Sequence, residues 1–367
     1  MKTFALAPLD AWFFRDGRPY NEKEASQADV ASVFPPPART LSGALRAALA
    51  RANGWSGSGR WTPKLNAALG SSPNDLGALQ FTGPFLIKGG HALWPLPRHL
   101  LGRAQERWEL TAFLRPDNKT CPTDEGELNL PMLPPGESRD GLKPAETAWI
   151  TTTALNVLLE GKRPDGTDIF PPGTLWAHEP RVGLRRDETR HTTGEGALYS
   201  PAYVRLHRCV ALGVCIAGVP DELTADIPPL FPLGGESRLA RCDAWPHNPL
   251  PEPPPRDSFR PDATGRIRFS AVLLTPGCFR EPSLPGAAIV SACVGRPHLI
   301  GGWDSLKREP LPLHPFAPAG SVWFCTASGD DFSSILAQHG KHIGPYAAHG
   351  FGHIVIGLWP ATHTSQP

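Results

Sequence analysis

Residues 179–199, EPRVGLRRDETRHTTGEGALY, set four arginines (Arg181, Arg185, Arg186 and Arg190) and His191 among acids and glycines. Over 181–208 six arginines, with Arg205 and Arg208 completing the set, face Asp187, Glu188 and Glu195, a local balance of +3. A guanidinium fork grips phosphate oxygens in two places and stacks on bases. Gly183, Gly194 and Gly196 permit tight turns and close backbone approach. The stretch therefore reads as a basic hairpin between two strands, which either follows a phosphate backbone or is simply a solvated surface turn. His191 beside Arg190 raises a third chemistry, general acid–base cleavage of RNA. That chemistry needs a second proton-transfer group, and none stands beside His191 in sequence.

Other chemistry-bearing stretches are sparser. Histidines 339, 342, 349 and 353 lie in HGKHIGPYAAHGFGH, with no carboxylate between them and no spacing that matches a zinc arrangement. Gly350-Phe351-Gly352 and the GGESR turn at 234–238 are glycine turns whose amides suit phosphate, with Arg238 in reach of the same anion. No Walker loop, no GxGxxG before a helix and no GxSxG is present, so nothing in the sequence points to an NTPase, a dehydrogenase or a hydrolase. No cofactor and no metal is implied.

These residues need elements to hold them. The chain has 367 residues, enough for two domains at roughly 100–200 residues each. Its 43 prolines are more than twice the usual share of about 5 %, which disfavours long helices and favours loops and edge strands. Arginine outnumbers lysine by 27 to 9, yet the net charge is only +1. A protein that coats nucleic acid is usually strongly basic, so any such role rests on a local patch. The seven cysteines are odd in number and lack CxxC spacing, against a disulfide framework. Without a signal peptide or an apolar run near 18 residues, the chain reads as soluble, reduced and cytoplasmic, with no membrane partner.

KTFALAP alternates apolar and other residues as a strand does. Leu41, Leu45 and Leu49 recur every fourth residue and predict a helix over 40–52, with Thr40 as its cap. The region 55–175 reads as irregular, with a long polar, proline-rich loop inside it. Strands are expected over 199–218 and 238–245. Residues 246–262 hold seven prolines and read as a stiff interdomain connector. Beyond it RIRFSAVLLTP, AAIVSACVG and SVWFCTAS read as strands, DDFSSILAQ as a helix capped by Asp330 or Asp331, and GFGHIVIGLW as a last strand. The expected fold is α+β: two tandem ferredoxin-like domains. The first occupies 1–245, with an insertion at about 55–175 and a hairpin thumb at about 179–199; the second occupies 263–367. The apolar run AWFF at 11–14 is expected to offer surface to a protein partner.

Six segments taken together, PLDAWFFRDGRPY, FPPPARTLSGALRAAL, EPRVGLRRDETRHTTGEGALY, FPLGGESRLARC, VGRPHLIGGWDSLKREPLPL and GFGHIVIGLW, resemble the third Cmr protein family. That is a RAMP-superfamily subunit of type III-B CRISPR effector complexes. The resemblance implies a non-catalytic subunit that holds the 5′ repeat-derived tag of the CRISPR RNA, pairs with the polymerase-like large subunit and abuts the first backbone RAMP subunit. It would meet target RNA only indirectly, in antiviral defence. The RNA contacts expected on that reading are Arg15, Arg18, Arg39, Arg181, Arg185, Arg186, Arg190, His191, Arg238, Lys307, Arg308, Gly350, Phe351 and Gly352. The competing readings are a RAMP-type endoribonuclease that processes precursor CRISPR RNA, and a protein–protein adaptor that never touches RNA.

Overall fold

A computed structural model describes residues 1–15, 29–104, 108–123, 126–136, 140–144, 146–186, 193–224 and 226–360; at 29–31, 104, 108, 183–186 and 193–200 it describes the backbone alone. The fold mixes α and β, rich in strands and with few helices. It divides into two compact units, each drawn from three segments. Unit 1 is Met1–Gly89, Gly173–His247 and Leu299–His314; unit 2 is Gly90–Pro172, Asn248–His298 and Pro315–Pro367.

Unit 1 is built on five antiparallel strands in the order Gln80–Lys88, Val210–Ala217, Lys2–Pro8, Leu239–Ala244, Leu230–Pro232. The alternation in KTFALAP puts Phe4 and Leu6 on the buried face. Helix Ala38–Ala52 lies in the connection between the first strand and Gln80–Lys88 and buries Leu41, Leu45 and Leu49. Each such leucine contributes roughly 1.5–3 kcal/mol by leaving water, an upper figure. The helix begins two residues before the expected start. Pro37 is its N-cap without a side-chain bond, and the Thr40 amide donates to the Pro37 carbonyl at 2.9 Å. A second layer of unit 1 pairs Trp176–Pro180 and Gly183–Arg186 with the long strand Thr193–Leu206, and lays Asp29–Ala31 parallel to that strand.

Unit 2 holds four antiparallel strands in the order Ala287–Cys293, Val322–Ser328, Arg266–Leu273, Ile354–Gly357. Phe269, Trp323, Phe332, Ile335, Ile354 and Ile356 fill its core. Helix Gly329–Leu336 follows Val322–Ser328 directly. Its cap is Ser328 rather than Asp330 or Asp331: the Ser328 hydroxyl accepts from the Asp331 amide at 3.1 Å and donates to the Asp331 carboxylate at 2.7 Å. Unit 2 also holds strands Trp149–Thr151, His91–Pro95 and Ile169–Phe170, a three-stranded sheet of Trp108–Phe113, Leu100–Ala104 and Lys143–Pro144, and the hairpin Arg115–Thr123/Gly126–Met132.

Three further sequence expectations change. The stretch 55–175 is largely regular structure: Gln80–Lys88 is a sheet strand of unit 1, and Thr152–Leu159 is a helix capped by the Thr151 hydroxyl. Gly83-Pro84 interrupts the apolar alternation of Phe81, Phe85 and Ile87 and hides that strand from a periodicity reading. The proline-rich segment 246–262 does not run as a free spacer after His247. Pro249, Pro251, Pro254 and Phe259 are buried in unit 2. The Pro249 carbonyl accepts from Trp94 Nε1 and the Thr152 hydroxyl, both at 2.9 Å, and the Pro251 carbonyl accepts from His339 Nε2 at 3.0 Å. Prolines lack a donor but keep an acceptor, and here those acceptors fasten the segment. Finally, AWFF is core: Ala11, Trp12, Phe13 and Phe14 are exposed by 1, 0, 5 and 3 %. The Trp12 backbone exchanges two hydrogen bonds with Val204, which turns this run inward.

Candidate nucleic-acid interface

The basic hairpin stands on a charged and aromatic foot in unit 1. Along Thr193–Leu206, Tyr203 and Arg205 are two residues apart and so share one face of the strand. Glu179 lies opposite Tyr203 in register. Arg181, one residue beyond Trp176–Pro180, donates its amide to the Pro201 carbonyl at 3.0 Å. Asp10 reaches in from the turn after the first strand, and Arg238 from the GGESR turn before Leu239–Ala244.

The five charged side chains form one network. Asp10 Oδ2 accepts from Arg181 Nη2 at 2.8 Å and Arg238 Nη1 at 3.2 Å; Asp10 Oδ1 accepts from Arg205 Nη2 at 2.8 Å. Glu179 accepts from Arg181 Nε at 2.7 Å and from Arg205 Nε. The guanidiniums of Arg181 and Arg238 lie 4.9 and 4.4 Å from the centroid of the Tyr203 ring, which packs on Phe13 at 5.4 Å. The arginine hydrogen bonds hold the carboxyls of Asp10 and Glu179 below the ordinary carboxylate range and raise Arg181 and Arg205, Glu179 being the main partner of Arg205. Three arginines against two carboxylates leave one positive charge, on side chains between 23 and 46 % exposed. The guanidiniums, which stay charged at neutral pH, can receive an anion or stack on a base.

The GGESR turn is shaped for this foot. A Cβ at Gly234, at φ +88°, would meet the Phe13 carbonyl at 2.7 Å, while the Gly235 amide donates to that carbonyl at 2.8 Å. The glycines let the turn close on Phe13 and aim Arg238 at Tyr203.

Of the expected RNA contacts, Arg181 and Arg238 are brought together here. Arg185 and Arg186 lie on Gly183–Arg186, paired with Thr193–Leu206, and only their backbone is described. Arg18, Arg190 and His191 lie outside the described residues. Arg15 is exposed just after AWFF. Arg39, on the helix, donates to Asn74 Oδ1 at 3.0 Å. Lys307 and Arg308 are exposed at a hairpin tip, Lys307 3.5 Å from Glu309.

The expected glycine cradle at 350–352, in unit 2, is instead closed on itself. Phe351 is 1 % exposed with its ring 4.7 Å from Phe316, so no base can stack on it. The Gly350 amide donates to Ala347 and the Gly352 amide to Pro276. Gly352, at φ +69°, has no room for a Cβ, which would meet the Ile343 carbonyl at 2.0 Å. The neighbouring histidines turn inward as well: His349 and His353 are buried, half-buried His339 bridges Pro251 and Ile356, and the ring of half-buried His342 stacks on that of His353 at 4.6 Å. Among the described residues, no group of three or more His, Cys, Asp or Glu is placed to hold a metal.

Sequence reasoning missed Asp10, Glu179 and Tyr203, and it counted Arg205 in the charge balance of 181–208 without naming it as a contact. The i, i+2 spacing of Tyr203 and Arg205 within a predicted strand was the one available signal.

A family model described as CRISPR-associated protein (Cas_Cmr3) matches residues 4–359. The chain belongs to the Cmr3 family of CRISPR-associated proteins. A chain of the type III-B Cmr-beta complex bound to cognate target RNA and AMPPnP matches with TM-score 0.51 at 17 % identity, covering 88 % of this chain and 86 % of that one. A second Cmr-beta structure, bound to cognate target RNA, gives 0.48 at 16 % identity with the same coverages. A chain of a Csm1-Csm4 cassette in complex with AMPPNP gives 0.36 at 11 %, covering 88 and 87 %. No curated protein matches the sequence. Among the described residues, no helix of this Cmr3 family chain is long and apolar enough to cross a membrane.

Proposed function

We propose that the chain is the non-catalytic subunit that holds the 5′ repeat-derived tag of the CRISPR RNA in a type III-B Cmr complex. On this reading it pairs with the polymerase-like large subunit, abuts the first backbone RAMP subunit and meets target RNA only through the guide. The observation that carries the reading is the foot of the hairpin, where Arg181 and Arg238 flank Tyr203 below the strand that bears Arg185 and Arg186. Arginines stacked on a ring present their remaining donors in a fixed plane, which suits phosphate and base edges.

Tandem ferredoxin-like domains fit the same reading. Numbered in chain order, the four long strands of the unit 1 sheet lie 2-3-1-4, and so do the four of unit 2. Unit 1 has its helix in the first crossover and unit 2 in the second, so each follows half of a βαββαβ plan.

The test is ultraviolet crosslinking of the purified chain to guide RNA with and without the 5′ tag. The reading expects tag-dependent adducts that map to 181–205 and 238. Incubation with repeat RNA in the absence of metal is the companion experiment: intact RNA is expected, and discrete cleavage products would establish the endoribonuclease instead.

A further inference from the structure

Arg98 stands in unit 2, in the turn between His91–Pro95 and Leu100–Ala104, where its amide donates to the Gly320 carbonyl at 2.8 Å. Gly320, at φ +81°, packs on Leu96 so closely that a Cβ would meet the Leu96 carbonyl at 2.6 Å. The Arg98 guanidinium lies against Gly295. A Cβ there would meet Cζ and Nη1 at 2.6 Å and Nη2 at 3.0 Å, so the fork rests on its face against the glycine. Gly295 follows Ala287–Cys293 and Gly320 precedes Val322–Ser328; Cys293 lies opposite Val322, which puts both glycines at one end of this strand pair. The side chain is 11 % exposed. Burial lowers its pKa and Glu146 partly restores it, and the group stays charged at neutral pH. Its donors are nevertheless unspent. Nε is buried without an acceptor, and Glu146, itself 65 % exposed, stands 3.7 Å from Nη1, too long for a hydrogen bond. Arg296 is exposed beside Gly295. Burial, and next the charge of Arg98, lower the pKa of His298, so its ring is neutral at pH 7 with an N–H to donate.

We infer that Arg98, Arg296 and His298 form a phosphate-binding site at this end of the strand pair, sharing no residue with the foot of the hairpin. A buried cation without an acceptor is costly, and the cost is offset when a ligand brings the acceptor. Phosphate oxygens match the spacing of the guanidinium fork. A carboxylate would fill that fork alone, whereas a phosphate keeps further oxygens for Arg296 and His298. Two arginines against Glu146 leave a net positive charge for it. Arg98 is held between Gly320 and Gly295 before any ligand arrives, so little ordering cost is left for binding. Gly295 has its own place in this device, since any side chain there would push the fork away.

The experiment uses the full-length chain and its R98M and G295A variants. R98M keeps the length of the side chain and removes the charge; G295A keeps the charge and displaces the fork. In phosphate-free buffer R98M is expected to melt no lower than the wild type, because the charge it removes has no acceptor. A clearly lower melting temperature would make Arg98 a structural residue and overturn the site. Inorganic phosphate at constant ionic strength is expected to raise the melting temperature of the wild type, and both variants to need about tenfold more of it for the same rise. Two further titrations identify the source of the phosphate. With tagged guide RNA, a slope of log affinity against log salt shallower by about 0.7 in R98M assigns the site to the RNA backbone. With ATP, a tenfold loss of affinity at an unchanged RNA slope assigns it to a free nucleotide. Phosphate, RNA and ATP titrations that are all unchanged in both variants would overturn the site. A photocrosslinker at 296 that captures only protein would give Arg98 to a partner's carboxylate and overturn it as well. Arg181, Arg185, Arg186 and Arg238 are intact in every variant, so failure here leaves the proposed grip of the hairpin on the guide standing.

Discussion

The guanidinium of Arg238 lies 4.4 Å from the centroid of the Tyr203 ring, although 35 residues separate the two in sequence. Tyr203 is 5 % exposed and joins Ala11 and Phe13 in a small buried cluster beneath the arginines. Removing the ring takes away both the floor of that cluster and the plate on which two guanidiniums rest. Tyr203→Ala should destabilise the chain by about 3 kcal/mol, in the range of large aromatic truncations. Tyr203→Phe should cost far less, because the ring is kept. Urea unfolding of the two variants checks the difference.

Asp10 ties three arginines together and offsets their charge. Asp10→Asn should change stability by no more than about 1 kcal/mol, since the ion pairs are nearly half exposed and water screens them. It should raise RNA affinity and steepen its dependence on salt, because the freed arginines then release more counterions. A titration at two ionic strengths measures both; a fall in affinity would mean that Asp10 positions the arginines for RNA rather than restraining them.

Arg46, 7 % exposed on the helix Ala38–Ala52, donates to the carbonyls of Leu69, Gly70, Ser72 and Asp75 at 2.7–3.1 Å. One planar fork thus closes the loop that follows Pro63–Leu69. Burial lowers the guanidinium pKa, yet the group stays charged at neutral pH. Arg46→Ala should cost about 3 kcal/mol by leaving buried carbonyls unpaired. Arg46→Lys should recover only part of that, since a single ammonium cannot span four carbonyls. Thermal melts of both variants provide the comparison.

Acid should weaken the fold through unit 2. Burial pushes His99 down to about 3 and His342 down to about 4, from an ordinary value of 6.5. The unfolded chain therefore binds these protons first, and stability falls as pH drops from about 6.5 towards 4. His99 is packed edge-on against Phe324, and Leu there removes the titrating group. His99→Leu should flatten the melting temperature against pH across that window. An unchanged slope would place the acid sensitivity elsewhere.

The elements that were legible in sequence are those whose pattern is local. Phe4 and Leu6 betray the first strand by alternation, and Leu41, Leu45 and Leu49 betray the helix by their spacing. Gln80–Lys88 was not legible because Gly83-Pro84 breaks its alternation. AWFF looked like free apolar surface because the groups that turn it inward, Val204 against Trp12 and Gly235 against Phe13, lie some 190 residues or more further along the chain. In the candidate site, Arg181 and Arg238 stood out by type and by their glycine neighbours. Asp10 could not, since its partners Arg181, Arg205 and Arg238 lie 171, 195 and 228 residues away. Phe351 misled in the opposite sense: flanking glycines suggested an open cradle, but in the fold they serve to bury the ring.

On the proposed function, the hairpin that rises from Tyr203 grips the guide. Charge reversal of Arg185 and Arg186 together tests it most directly, read by filter binding of tagged guide RNA at two salt concentrations. Weaker binding and a shallower salt dependence are expected, with the melting temperature unchanged, because fewer phosphate contacts release fewer counterions. Unchanged affinity and slope would contradict it and leave the stretch a solvated hairpin.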